Sequence, residues 1–191
     1  MSDPPASLSQ HAQFERYRSY LLLLARLQLD KRWQQRIDPS DLVQQTLLDG
    51  QAKWHQMGTE NAELAAWLRK ALSNNLADAI RKLQTAKRNI GRERLLNDAL
   101  DASSAALASL LGQEQTSVGQ RAVRNEDLVR LAEALAQLPE PQREAIVLHH
   151  LQGASLKETA RSLGRTDPAV AGLLHRGLRR LRELMLSRAA D

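Results

Sequence analysis

Histidines are the first side chains to test for chemistry, because they serve as bases and metal ligands near neutral pH. Five are present: His11, His55, His149, His150 and His175. None stands at metal-ligand spacing with carboxylates, and the neighbours His149-His150 fall on an expected helix, where adjacent residues point apart. The sequence holds no cysteine, which excludes disulfides and thiolate metal sites and makes a reducing cytoplasm the expected home. It contains no P-loop, no glycine-rich dinucleotide turn and no nucleophile elbow. No enzyme, cofactor or metal site is therefore expected. The remaining chemistry is electrostatic. Between residues 69 and 92, Arg69, Lys70, Arg81, Lys82, Lys87, Arg88 and Arg92 face one acid, Asp78. Such a strip can track a nucleic-acid backbone, although a basic run taken alone is more often a solvated face.

The elements that position these residues read as helices. Aromatics are only 3% of the 191 residues, so a core must be built from Leu, Ala, Val and Ile, with few of the residues that fill strands. The net charge of +5 permits a nucleic-acid partner without requiring one. Phe14 to Leu29 is one expected helix. Pro39-Ser40-Asp41 opens a second that runs through Trp54 and stops near Gly58. A third, from about Glu63, carries Leu64, Trp67, Leu68, Ala71, Leu72, Leu76, Ile80 and Leu83 on one broad face; Trp67 is expected in the core, and Trp33 has no evident role. Residues 91–126 are rich in Ser, Ala, Gln, Asn and Gly and read as an exposed, flexible linker. The expected fold is thus all-α: two small helical domains, 10–90 and 127–188, joined by that linker. The opening Met1-Ser2-Asp3-Pro4-Pro5 does not read as a signal peptide. The apolar run Leu21–Ala25 is far short of the roughly 20 residues that span a bilayer.

The last zone has the clearest local grammar. A helix from Leu128 to Leu138 ends at Pro139, and the next starts around Pro141 and runs to Gln152. Ser155 and Glu158 have capping-box spacing. The short helix Leu156–Leu163 then ends at Gly164, a residue suited to a left-handed terminus. After the turn Arg165-Thr166-Asp167, with Asp167 as cap and Pro168 as first residue, a final helix extends to about Arg188. This is a helix-turn-helix, with Ala160 where the two helices approach closely. Val170, Leu174, Leu178 and Leu181 form its expected buried stripe. His175, Arg176, Arg179 and Arg180 lie off that stripe and can reach phosphates or base edges. From Lys157 to Arg188 eight basic residues oppose three acidic ones. A helix-turn-helix of this kind serves a repressor or a response-regulator output domain as readily as an initiation factor.

Several segments taken together narrow this. Asp41-Leu42-Val43-Gln44-Gln45-Thr46-Leu47-Leu48 resembles the polymerase-binding helix of the extracytoplasmic-function (ECF) sigma factors of bacteria. Ala66-Trp67-Leu68-Arg69-Lys70-Ala71-Leu72-Ser73-Asn74-Asn75-Leu76-Ala77-Asp78 is similar to the family's following helix, which faces the −10 promoter element. Leu138-Pro139-Glu140-Pro141-Gln142-Arg143-Glu144 and Leu151-Gln152-Gly153-Ala154-Ser155-Leu156-Lys157-Glu158-Thr159-Ala160 resemble the opening of its C-terminal domain. Leu173-Leu174-His175-Arg176-Gly177-Leu178-Arg179-Arg180-Leu181-Arg182 is similar to its −35-reading helix. The resemblance covers most of residues 14–90 and 127–186.

The resemblance implies a factor that binds core RNA polymerase, through the coiled-coil clamp helices of its largest subunit, and directs initiation at −35 and −10 DNA. An anti-sigma factor is a candidate third partner, and no membrane partner is implied. Asp41, Gln44, Gln45, Leu48 and Asp49 become the candidate polymerase contacts, a polar patch with an apolar centre. Trp54, Asn61, Arg69, Lys70, Asn74, Arg81, Lys82, Lys87 and Arg88 become candidate −10 contacts, with Asn61 and the 56–61 loop near a flipped base. Arg165, Thr166, His175, Arg176, Arg179 and Arg180 become candidate −35 contacts. Two departures stand out. Gln45 replaces the family's usual acid, and Ala171-Gly172 replaces the usual basic or polar pair, so either base reading passes to Arg176, His175 and the Arg165-Thr166 turn or −35 specificity is low. The alternative is a helix-turn-helix regulator with a sensing or dimerisation domain in 10–90. The second basic strip at 69–92 argues against it.

Overall fold

A computed structural model describes the backbone of residues 6–29, 33, 35–53, 61–84, 90–111 and 121–187. Within these, side chains are described for 11–29, 33, 35–53, 64–83, 94–111 and 125–187. Every regular element among the described residues is helical, as the scarcity of strand-forming residues predicts.

The first expected helix is divided. Helix α1 spans Ala6–Glu15 and α2 spans Arg18–Gln28. At the break the Tyr17 amide donates to the Phe14 carbonyl at 3.0 Å, and the bidentate pair from Arg18 to Glu15, at 2.6 and 2.8 Å, bridges it. The break lets both aromatics enter the core: Phe14 and Tyr17 are buried. Phe14 lies against Gly50, where an added Cβ would come within 2.6 Å of its ring. Helix α3, Pro39–Ala52, starts from Asp38, whose carboxylate accepts the Ser40 amide at 2.7 Å. Helix α4 is Asn61–Gln84. Its residues Leu64, Leu68, Leu72 and Leu76 are wholly buried, one turn apart, and Ile80 continues the row. Trp67 and Trp33 are half-buried against the same core.

The connection over 91–126 departs from expectation. Residues Ile90–Leu110 form helix α5, which packs on α2 and α4. Leu100, Leu107 and Ala108 are buried, and Ser104 nearly so. With Leu111 they make one stripe at helical spacing. The polar side chains of α5 find partners: Ser104 Oγ and Tyr20 Oη are hydrogen-bonded at 2.9 Å, and Gln28 Nε2 donates to Ser103 Oγ at 2.8 Å. The extended, exposed connection is therefore corrected over 94–110. Ser and Ala do not mark a loop here; they let helices approach closely. Residues 112–120 lie outside the described residues.

Helix α6, Arg121–Ala136, buries Leu128, Val129, Leu131, Ala132, Ala134 and Leu135. Apolar on most sides, it is the helix expected between two packed layers. It contacts α2, α4 and α5 on one side and the last helix on the other. A single cluster of buried residues runs from Phe14 to Leu181. Arg16 and Glu126 add an exposed ion pair at 3.2 Å. Helix α7, Glu140–Ile146, passes into a π-helical turn, Val147–Leu151. Helices α8, Leu156–Leu163, and α9, Asp167–Ser187, complete the chain.

Candidate nucleic-acid and polymerase interfaces

Both ends of α8 and the start of α9 are fixed by local hydrogen bonds. Ser155 Oγ accepts the Glu158 amide at 3.2 Å, and the Glu158 carboxylate accepts the Ser155 amide at 2.8 Å, closing the expected capping box. The Ser155 hydroxyl also donates to Glu158 at 2.7 Å. These side-chain and backbone hydrogen bonds from Ser155 hold the Glu158 carboxyl below its ordinary pKa. Gly164 has φ +61°, and the Arg165 amide returns to the Ala160 carbonyl at 2.9 Å. The N-cap of α9 is Thr166, not Asp167: Thr166 Oγ1 accepts the Ala169 amide at 3.4 Å. Asp167 and Pro168 become the first two helical residues, positions that also suit a carboxylate and a proline. Thr166 and Arg165 are exposed at the tip of the turn, and the Thr166 hydroxyl proton remains available to a phosphate.

Helix α9 buries Val170, Leu173, Leu174, Gly177 and Leu181. The stripe is rotated from expectation, with Leu173 and Gly177 inside and Leu178 only half-buried. Gly177 explains the rotation: a Cβ there would meet Ile146 Cδ1 at 2.9 Å and Gln142 Cβ at 3.3 Å, so α9 lies close on α7. Ala160 is buried at the α8 contact as expected. Opposite lie Ala171, His175, Arg176, Arg179, Arg180 and Arg182, all exposed. Glu183 pairs with Arg180 at 3.1 Å and stands 3.9 Å from Arg179. Exposed pairs of this kind are weak and exchange readily for phosphate.

A second surface lies on α3. Asp41, Gln44, Gln45 and Leu48 are exposed, and Leu48 is 50% exposed with polar residues around it. Asp49 is different. Its carboxylate accepts Gln45 Nε2 at 2.8 Å and Asn75 Nδ2 at 3.1 Å, and Asn75 also donates to Thr46 Oγ1 at 3.0 Å. Asp49 thus ties α3 to α4 from a half-buried position. Asn75, a residue that the sequence did not single out, completes that tie.

The basic strip on α4 is divided by the fold. Lys70, Asn74 and Lys82 are exposed and share a face. Arg81 is half-buried and paired with Asp78 at 2.7 Å. Arg69 is corrected as a DNA contact in this conformation: its side chain is 17% exposed and pairs with Asp101 on α5 at 3.1 Å. It also reaches Tyr20 Oη at 3.4 Å. Burial disfavours the guanidinium charge, but Tyr20 and Asp101 outweigh it and raise the pKa above its ordinary value. Trp54, His55, Lys87 and Arg88 lie outside the described residues, as do the side chains of Asn61 and Arg92. The Asn61 backbone opens α4.

The histidine pair also behaves differently from expectation. In the π-helical turn the His149 and His150 rings meet edge to face, with centroids 4.9 Å apart, rather than pointing apart. His149 Nδ1 donates to the Ala154 carbonyl at 2.7 Å. Burial, and then His149, lower the pKa of His150. Among the described residues no group of three or more His, Asp or Glu side chains could hold a metal. No helix among them is long and apolar enough to cross a membrane.

Comparison with known proteins agrees with this geometry. Residues 128–181 match the family model described as Sigma-70, region 4, the segment that holds α7, α8 and most of α9. Over 158 residues the chain is 31% identical to the RNA polymerase sigma-E factor of Streptomyces avermitilis, covering 81% of this chain and 75% of that protein. It is 28% identical to the RNA polymerase sigma-E factor of Streptomyces coelicolor over 81% of this chain and 76% of that protein. It is 30% identical to the ECF RNA polymerase sigma factor SigX of Bacillus subtilis, over 76% of this chain and 69% of that protein.

Proposed function

The chain belongs to the ECF RNA polymerase sigma factors, and from that premise we propose which of its faces meets which partner. As a sigma factor it acts with core RNA polymerase and promoter DNA in transcription initiation; the reading gives it no catalytic step, and its workplace is the cytoplasm. Residues 10–90 act as the core-binding and −10 domain, and residues 127–188 act as the −35 domain.

Helix α3 docks on the clamp helices of the largest polymerase subunit. Leu48, half-exposed with exposed Gln44 and Gln45 one turn before it and Asp41 two turns before, is the apolar anchor such a groove takes. Asp49 supports this face through Asn75 more than it contacts the partner. On α4, Lys70, Asn74 and Lys82 track the −10 strand. Arg81 joins them when it exchanges Asp78 for phosphate; Trp54, Asn61, Lys87 and Arg88 are assigned to −10 DNA by the family resemblance alone. Helix α9 enters the major groove at −35. Arg176 and His175 read base edges there, while Arg165, Thr166, Arg179 and Arg180 hold phosphates. An anti-sigma factor would act by covering one of these faces.

The observation that carries the reading is the exposed basic face of α9, set by a capped and hydrogen-bonded turn and backed by an apolar stripe. The polymerase face is tested by capture of purified core polymerase on the immobilised chain. Replacing Asp41 and Gln44 with Arg is expected to weaken capture while leaving helical content unchanged. Undiminished capture would remove α3 from the interface.

A further inference from the structure

A glycine inside a long helix is unfavourable for the helix itself, so the half-buried Gly172 needs a reason. Gly177, five residues on, has one in the contact with Ile146. At Gly172 the atoms nearest an added Cβ all belong to the Arg176 guanidinium, with Nη1 at 3.2 Å and Cζ and Nη2 at 3.7 Å. A long helical side chain points back toward the N-terminus and covers the turn before it. Arg176 accordingly lies over Gly172, and the exposed Ala171 beside it adds only a methyl group.

We infer that Gly172 is a positioning residue for −35 reading, a slot that seats the Arg176 guanidinium along the helix. This rests on the reading that α9 faces the promoter. The guanidinium is a rigid planar fork, and its base discrimination depends on presenting two donors to one base edge. A side chain at 172 closes the slot from below and lifts the fork by the few tenths of an ångström that a 3.2 Å approach requires. The departure of Ala171-Gly172 from the family's usual pair then has a physical meaning. Side chains that would reach bases directly are replaced by a floor on which one arginine, a turn later, is held.

The test uses the full chain assembled with core polymerase on a panel of promoters that differ only at −35, with Gly172→Ala, Gly172→Ser and Arg176→Ala compared. Gly172→Ala is expected to raise Tm, through helix propensity, and to leave core affinity and the salt slope unchanged. It should nevertheless re-rank the −35 variants by on the order of tenfold at one or two positions. In an Arg176→Ala background the same substitution should re-rank nothing. Gly172→Ser should follow Gly172→Ala. If Arg176→Ala changes the ranking and Gly172→Ala does not, Gly172 has no positioning role, while α9 remains the reader. If the re-ranking persists without Arg176, Gly172 acts through its own backbone and the proposal fails. If neither substitution changes the ranking, the assignment of Arg176 as reader fails, and this inference with it.

Discussion

Arg69 on α4 and Asp101 on α5 form an ion pair at 3.1 Å with the guanidinium only 17% exposed. The pair joins a residue expected on DNA to a segment expected to be a free tether. Together with Tyr20–Ser104 and Gln28–Ser103, it makes α5 part of the core. Leu100→Ala is therefore expected to destabilise the chain by about 2–5 kcal/mol, the range for a buried leucine. Asp101→Asn, with its carboxylate half in solvent, should cost only about 1 kcal/mol. Urea denaturation measures both. A Leu100→Ala cost close to zero would mean that α5 is not packed in solution.

The two sides of α3 should separate by experiment. Asn75→Ala removes donors to Asp49 and Thr46 and should lower stability by about 1–2 kcal/mol, the charged acceptor placing it at the upper end. Leu48→Arg is expected to leave Tm within a degree or two and to reduce core-polymerase capture at least tenfold, about 1.4 kcal/mol. Equal effects of the two substitutions on capture, at matched stability, would mean that Asn75 and Leu48 serve the same face.

Glu183 competes with phosphate for Arg180 and Arg179. Glu183→Gln should strengthen binding to every −35 duplex alike, several-fold at low salt, and steepen the salt dependence by at most about one unit. Arg180→Ala should do the reverse, with the ranking of sequences unchanged in both. Filter binding across a salt series reads this directly. A change in ranking would place Arg180 on bases instead of phosphate.

The capping box gives α8 an acid-sensitive end. Glu158 titrates below its ordinary value of 4.5 because it accepts from the Ser155 hydroxyl and amide. A carboxylate depressed in the folded state stabilises above its unfolded pKa, and that contribution fades as pH falls through the folded one. Between about pH 5 and pH 3 the wild-type Tm should thus fall more steeply than that of Glu158→Gln. Parallel curves would mean that the cap carries no charge-dependent stability.

The parts of this molecule that local rules govern were legible in the sequence. Ser155, Glu158, Gly164 and Pro168 act within one turn of where they stand, so the helix-turn-helix and its exposed arginines followed from spacing. The cap of α9 shifted by one residue because Thr166 and Asp167 both suit that role and Pro168 tolerates either of the first two helical positions. What escaped was long-range. Ser103, Ser104 and Ala108 have the composition of a loop until Tyr20 and Gln28 are placed beside the serines and α6 is packed on the same helix. Arg69 is written like its neighbour Lys70, and only the packing of α5 turns it inward. The break at Tyr17 carries neither glycine nor proline, because it is set by the burial of Phe14 and Tyr17, with the Phe14 ring against Gly50.

The central claim is that α3 joins this chain to polymerase so that α9 can select promoters. It is tested most directly by transcription from fragmented bacterial genomic DNA with core polymerase and the purified chain. The account predicts discrete new start sites sharing one −35 and one −10 sequence, lost with Leu48→Arg and redistributed with Arg176→Ala. Duplex binding by the chain with no new start sites, or start sites that survive Leu48→Arg unchanged, would contradict it.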